Sequence, residues 1–484
     1  FYHAYSHVNT LNGAGAGYLA LGNPNYLTLL TNAYDFLRAN EVLVTGGYGP
    51  DEQLLPRSNL VSRLYTSAHT FETQCGSWAV FKLVRYLMTL TGDARYGDWV
   101  EELCYNGVGA SLPTTADGRV FYYSNYQVDG ARKQNHPVAW TCCTGTRPQV
   151  VADYASQVFL QGDEALYVNL FTPATVRWNV NGQEVTVSQE TAFPEENLTT
   201  LSVAAAAPVA FSLKIRAPGW LAVPMTATLN GQPLVLSADS WHWTGVTRVW
   251  SPGDRLAVSL PQTLTANSIS ASQPYPAAVR YGPVALAFEA PSAALLAGID
   301  LDAPERSLLP VPGQPLTWQL AGDSGLRARP FYTYTASTPY FLYFDPVDDL
   351  DHPRVKYQGN WLDAGPFRYA REAGVTATYT FYGTRVYWLG YRFDDAGLAQ
   401  VLIDGSAVAT VDQYGPGRNL PFEWSSDDLF PGWHTIQIRV LGQRNPSALN
   451  NYINVAGFHA IGPPPSAVLV NRYSFATDAS DSVG

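Results

Sequence analysis

Basic side chains are scarce in this chain of 484 residues. Its 29 Lys and Arg face 40 Asp and Glu, which leaves a formal net charge of -11. No basic stripe exists to neutralise phosphates, so nucleic acid and anionic membrane are disfavoured as partners. Charged residues reach only 14%, too few for a disordered or coiled-coil protein. No apolar run approaches the length of a membrane span. Cysteine is rare too. The 4 present, Cys75, Cys104, Cys142 and Cys143, all lie in the first third, which excludes a disulfide scaffold and points to local chemistry. The chain opens on Phe1-Tyr2-His3 within a helical pattern and closes on a strand-like segment, Asn471 to Gly484. Both ends are expected to be cut, so targeting signals leave the compartment open.

What the chain does have is apolar and aromatic mass. Hydrophobic residues make up 46%, and 13 Trp and 30 Tyr supply flat amphipathic rings. Such rings suit sugar faces and suit β-sandwich cores equally well. The length predicts two to four domains. Residues 1–160 read as helices, with Leu19, Leu21, Tyr26, Leu29, Leu30, Tyr34 and Leu37 at helical spacing. Two similar turns, Gly22-Asn23-Pro24 and Gly92-Asp93-Ala94, each predict an αα-hairpin. Repeated hairpins suggest a helical toroid, of which two can form only a part. From about 161 the period becomes two, predicting a β-sandwich to 335 with an irregular, Pro- and Gly-rich connection in 295–335. A further sandwich spans 336–462, and 463–484 holds a Pro-rich linker and the start of another domain.

Three segments of the helical part carry chemistry. One is the pair Cys142-Cys143, in a loop just before a helix. Another is Glu72-Thr73-Gln74-Cys75, whose spacing puts both end residues on one helical face. The last is Gly46-Gly47-Tyr48-Gly49-Pro50-Asp51-Glu52, a glycine-rich loop ending in two acids. Three thiols and a carboxylate make a plausible four-ligand zinc site. The bland alternative is a packed Cys75 and an inert or disulfide-linked Cys142-Cys143. Cys104 lies on an apolar helical face with Val100 and Leu103 and is expected to pack. His69 is expected to cap a helix or support a neighbour.

An ordered series of motifs then carries a resemblance: Thr45-Gly46-Gly47, Phe71-Glu72-Thr73-Gln74-Cys75, Tyr105-Asn106-Gly107, Phe121-Tyr122-Tyr123-Ser124-Asn125, Cys142-Cys143, Leu166-Tyr167-Val168-Asn169, Ile215-Arg216-Ala217-Pro218-Gly219-Trp220 and Tyr281-Gly282-Pro283. Over residues 1 to about 290 it resembles glycoside hydrolase family 127, typified by β-L-arabinofuranosidase. The resemblance implies a multidomain α + β chain, a partial (α/α)6 barrel followed by β-sandwich (jelly-roll) domains. It also implies zinc held by Glu72, Cys75, Cys142 and Cys143, with Cys142 as nucleophile and Glu52 as general acid/base. Asp51 stays open as the other candidate for that last role. His3 and Tyr123 would line the sugar pocket, and the mechanism would retain anomeric configuration. Trp140, beside Cys142, either walls the sugar site or packs. The family pattern is Glu-x-Cys, whereas here one more residue intervenes. Residues 336–462 resemble galactose-binding-like jelly rolls, and the last residues a laminin-G-like strand. The expected substrate is a plant-type glycan and the expected compartment extracellular, cell-surface or periplasmic. The competing reading is a non-catalytic carbohydrate-binding surface protein.

Overall fold

The structure, a computed structural model, describes residues 3–134, 141–162, 164–180, 182–269, 275–346, 355–430 and 432–461. Two compact units result. One comprises Phe1–Glu289 with Gly298–Asp345, the other Ala290–Ala297 with Pro346–Gly484. The architecture is mixed, with few helices and many β-sheets. The expected linker and laminin-G-like segment, 463–484, lie outside the described residues.

In the first unit the helices come first: α1 (Ala4–Leu21), α2 (Pro24–Asn40), α3 (Arg57–Thr66), α4 (Thr73–Thr91), α5 (Gly97–Leu103) and α6 (Cys142–Ser156). Both predicted hairpin turns are formed by the same device. Gly22 (φ 65°) and Gly92 (φ 74°) end their helices in the left-handed region that costs a glycine nothing. Asn23 and Asp93 then cap the next turn, their side-chain oxygens accepting from Asn25 N and Arg95 N. α4 is the axis of this layer, most of its residues from Thr73 to Met88 buried, and it is packed by α1, α2, α5 and α6. Leu30, Tyr34 and Leu37 of α2 face that core. Leu19, Leu21 and Leu29, expected to do the same, project into solvent with Phe36.

The strands follow in three sheets. The first runs Gln232–Leu234, Ala227–Leu229, Arg255–Ser259, Leu198–Ala205, Gln183–Thr191, Ala174–Val180. The second runs Ser237–Ala238, Trp243–Trp250, Val209–Arg216, Ala165–Val168, Phe159–Gln161. Alternate residues of both sheets fill one core around Trp178, Phe211 and Trp250. The third sheet holds Leu264–Ser268, Ala277–Tyr281, Val284–Glu289, Asp323–Pro330, Trp318–Leu320 and Leu308–Pro310. Its Ala278, Ala285 and Ala287 share the core of α4, so this sheet backs the helices. The stretch 295–335, expected as an irregular connection, thus supplies three strands. Its Pro and Gly content hid them, although Trp318, Leu320, Leu326 and Ala328 alternate inward. Further bridges, Phe288 to Phe341 and Ala277 to Phe344, carry the first unit to Asp345.

The second unit builds a five-stranded sheet around Thr376–Gly383 and Gly432–Arg444, and two three-stranded sheets. Tyr379, Phe381, Trp388 and Phe458 form its core.

Arg216, fully buried at the end of its strand, ties the second sheet to α5. It pairs with Asp98, reaches Glu101 at 2.8 Å, and donates to Asn169 O at 2.7 Å. Removing it takes the cation from the buried Glu101 and the partly buried Asp98. Arg216→Leu is expected to cost about 3–5 kcal/mol in denaturant unfolding, and a loss below 1 kcal/mol would show that water or rearrangement compensates.

Candidate active site

Two helix starts bring the thiols together. Cys75 lies in the first turn of α4, and Cys142 and Cys143 are the first two residues of α6. The pair was expected in the preceding loop; it sits inside the helix instead. Glu72 is likewise not on the helical face of Cys75. It is the extended N-cap residue of α4 (ψ 96°), and its backbone pairs with Tyr123. Being extended lets it span the extra residue, and the four ligand atoms of Glu72, Cys75, Cys142 and Cys143 all lie within 4.8 Å of one another. Cys142 Sγ is 3.1 Å from Glu72 Oε1, and Cys143 Sγ is 3.8 Å from it. Only Cys142 of the three thiols is exposed.

The second acid comes from the glycine-rich loop. Gly49 has φ 73°, and a Cβ there would stand 2.3 Å from Ala4 Cβ, so only glycine lets the loop meet α1. Asp51 (φ 51°) and Glu52 (φ 61°) then occupy the left-handed region in succession, a strained arrangement for side-chain-bearing residues. Asp51 is held in it by Ser67 Oγ at 2.5 Å, Arg63 at 3.3 Å and a backbone bond to His69 O. Asp51 is therefore committed to the loop, and Glu52 points to Tyr122, Tyr123 and His3. Glu52 Oε1 accepts from Tyr123 Oη at 2.7 Å and Tyr122 Oη at 3.0 Å, while Oε2 is 3.1 Å from His3 Nε2.

Tyr122 received no role from sequence reading, yet its hydroxyl lies at the centre. It is 3.2 Å from both Glu72 Oε1 and Cys142 Sγ, as well as bonding Glu52. Strand alternation predicts that only one of two adjacent tyrosines faces a pocket. The strand Tyr123–Ser124 is two residues long, and both rings turn inward, edge to face at 4.4 Å. His69 supports Tyr123 by stacking on it at 4.1 Å. Cys104 is remote from the cluster and packs on Leu103's side of the helical core. Trp140 lies outside the described residues.

Burial and mutual contact set the proton affinities. Burial, with the Cys142 sulfur adding, pushes the Glu72 carboxyl up to about 8. Hydrogen bonds from the Cys143 and Cys75 thiols hold Cys142 well below the usual thiol range. Burial pushes Cys143 up, and the bond to Cys142 pushes Cys75 up. Glu72 Oε2 is buried with no hydrogen-bond partner. A buried carboxylate oxygen without a hydrogen-bond donor, grouped with three sulfurs, is a donor set that fits a thiophilic cation.

Two family models match the chain: "Beta-L-arabinofuranosidase, GH127 catalytic domain" over residues 1–156, and the GH127 middle domain over 165–262. The chain belongs to glycoside hydrolase family 127. Among curated relatives, this GH127 chain is 25% identical over 217 residues to a non-reducing end β-L-arabinofuranosidase of Bifidobacterium longum, covering 41% of this chain and 32% of the relative. It is 32% identical over 151 residues to an A type blood N-acetyl-α-D-galactosamine deacetylase of Flavonifractor plautii, covering 28% of this chain and 19% of the relative. Its fold is similar to a solved GH127 β-L-arabinofuranosidase from Geobacillus stearothermophilus T6, with TM-score 0.51 and 16% identity over 94% of this chain and 60% of that one. The chain thus spans a third or less of these curated relatives.

Behind the tyrosine strand, Lys133 is buried without a carboxylate partner among the described residues. Its Nζ donates to Leu112 O at 3.1 Å and lies over the rings of Phe121 and Phe331. Burial lowers its pKa to about 7. The unfolded chain, with an ordinary lysine, holds the extra proton from pH 7 to about 10.4. Stability should therefore rise with pH across that window, by up to about 1.4 kcal/mol per unit from this group. Comparing Lys133→Met with the parent by urea unfolding at pH 7 and 9 checks it: the variant's slope should be flatter, and equal slopes overturn the assignment.

Proposed function

We propose that this GH127 chain carries the catalytic groups of a retaining glycoside hydrolase acting on β-L-arabinofuranosides or closely similar plant-type sugars. The observation that supports it most is that Cys142 and Glu52 both contact one hydroxyl, that of Tyr122, beside two more thiols and Glu72. The sugar class comes from the matched family models and the relative in Bifidobacterium longum.

Glu72, Cys75, Cys142 and Cys143 are the residues that would hold zinc, whose preference for thiolate and carboxylate ligands matches this set. Zinc bound there supplies positive charge that keeps its thiol ligands deprotonated near neutral pH. Cys142, the exposed thiol, attacks the anomeric carbon, and its S–C bond forms as the bond to the leaving oxygen breaks. Glu52 gives its proton to that oxygen. It then takes a proton from water, whose oxygen attacks the same carbon and releases Cys142. Two inversions retain the configuration. Tyr122, Tyr123 and His3 hold the Glu52 carboxyl in place while it changes charge. We read the six helices as an arc of an (α/α)6 barrel, the second unit as a galactose-binding-like module, and the working compartment as extracellular, cell-surface or periplasmic.

The test begins with metal analysis, where about one zinc per chain is expected, and continues with turnover of an aryl β-L-arabinofuranoside by the whole chain. Cys142→Ala should lower kcat at least about a thousandfold, and Glu52→Gln about a hundredfold or more. Proton NMR should show the β-anomer released first. Full activity in Cys142→Ala, or first release of the α-anomer, would end this mechanism.

A further inference from the structure

A cavity of about 310 Å³ opens along another flank of α6. The helix turns Cys142, Cys143 and Thr146 toward the thiol cluster, Thr146 Oγ1 lying 3.2 Å from Cys75 Sγ. It turns Arg147, Val151 and Tyr154 toward this second cavity. The remaining wall is mostly apolar, with Tyr105, Leu112 and Phe171 prominent in it and Glu101 its one carboxylate. The volume sits at the small end of ligand pockets and suits one ring with a short tail.

The charges at the wall are unequal in their commitments. Glu101 is engaged through Oε2, which accepts from Trp220 Nε1 at 2.7 Å and pairs with Arg216 at 2.8 Å, while its Oε1 is buried with no hydrogen-bond partner. Arg147 is not. Its Nη1 is buried with no hydrogen-bond partner, no carboxylate pairs with it among the described residues, and burial alone lowers its pKa. Burial also pushes the Cys104 thiol and the Tyr105 phenol well up, so both are neutral near pH 7. Arg147 is half-buried, and its Nη1 has lost water without gaining an acceptor, a cost that an anionic ligand relieves.

We propose that this cavity binds a small aromatic carboxylate, the ring lying among Tyr105, Tyr154 and Phe171 and the carboxylate on Arg147. Guanidinium and carboxylate match as a planar, charge-assisted pair, and the aromatic walls favour a ring over an alkyl chain. The site is separate from Glu52 and Cys142 and does not depend on the glycosidase reading.

Isothermal titration of the whole chain with 3-phenylpropanoate tests it, with the neutral 3-phenylpropan-1-ol as comparison. Saturable one-to-one binding is expected for the acid, about tenfold or more tighter than for the alcohol. Arg147→Gln should remove that preference. Val151→Trp, at a partly exposed position where folding tolerates bulk, should fill the cavity and abolish binding of both compounds. Circular dichroism establishes that each variant is folded. The proposal is overturned by absence of saturable binding at millimolar acid, by equal affinity for acid and alcohol, or by unchanged binding in either folded variant.

Discussion

The site depends on two helix starts that no side chain caps. Neither Glu72 at the head of α4 nor Thr141 at the head of α6 makes a side-chain cap bond; Thr73 N donates to Tyr122 O at 3.0 Å, and the three thiols sit in the first turns of the two helices. The positive end of each helix dipole favours negative charge there, and three thiols and a carboxylate are placed within reach of both. α4 can serve this purpose because it is the axis of the helical layer, buried along most of its length and unable to tilt without disturbing α1, α2, α5 and α6 together. The third sheet reinforces it from behind through Ala278, Ala285 and Ala287, and the Asn106 side chain bonds Pro283 O and Ala285 N at 2.9 Å.

Glu52 reaches the cluster by a different route. Its loop holds only one kinked 3-10 turn, Pro50–Glu52, and close packing supplies most of the rigidity. The Phe71 ring is wedged where Cβ atoms on Gly47 and Gly76 would stand 2.7 and 2.4 Å from it. That ring is adjacent to Glu72, so one packing contact positions both the loop and a thiol-cluster residue. The left-handed backbone of Asp51 and Glu52 costs of order 1–3 kcal/mol each, and the Ser67, Arg63 and His69 contacts of Asp51 offset it. An acid placed this way is preorganised, because the carboxyl need not search for its position when it changes charge.

Much of this was legible in the sequence, and the rest fails for identifiable reasons. The hairpin turns at Gly22 and Gly92 were legible because glycine, an acid or amide, and the next helix start are local signals. The cluster of Glu72, Cys75, Cys142 and Cys143 was legible through its motif series. Tyr122 was not, since a period-two rule assigns one face per residue and a two-residue strand need not obey it. The strands within 308–330 were hidden by Pro and Gly, and the sheet's packing on α4 is a long-range fact that no local pattern carries. Leu19, Leu21 and Leu29 show the converse: helical periodicity identifies a helix but cannot say which of its apolar stripes meets a partner.

Three cysteines share one cluster, yet their surroundings make them unequal. Cys75 and Cys143 are buried, and each is pushed toward its protonated form. Cys142 receives hydrogen bonds from both, and from Tyr122, and is the one that solvent reaches. Without a metal, the thiol most readily ionised is therefore the one that an incoming molecule can touch. The same asymmetry follows from position in α6: the first residue of a helix can look outward along the axis, whereas the second already turns into the core. Of the three clustered thiols, Cys142 alone is both exposed and held below the usual thiol range, the two properties that the proposed nucleophile requires.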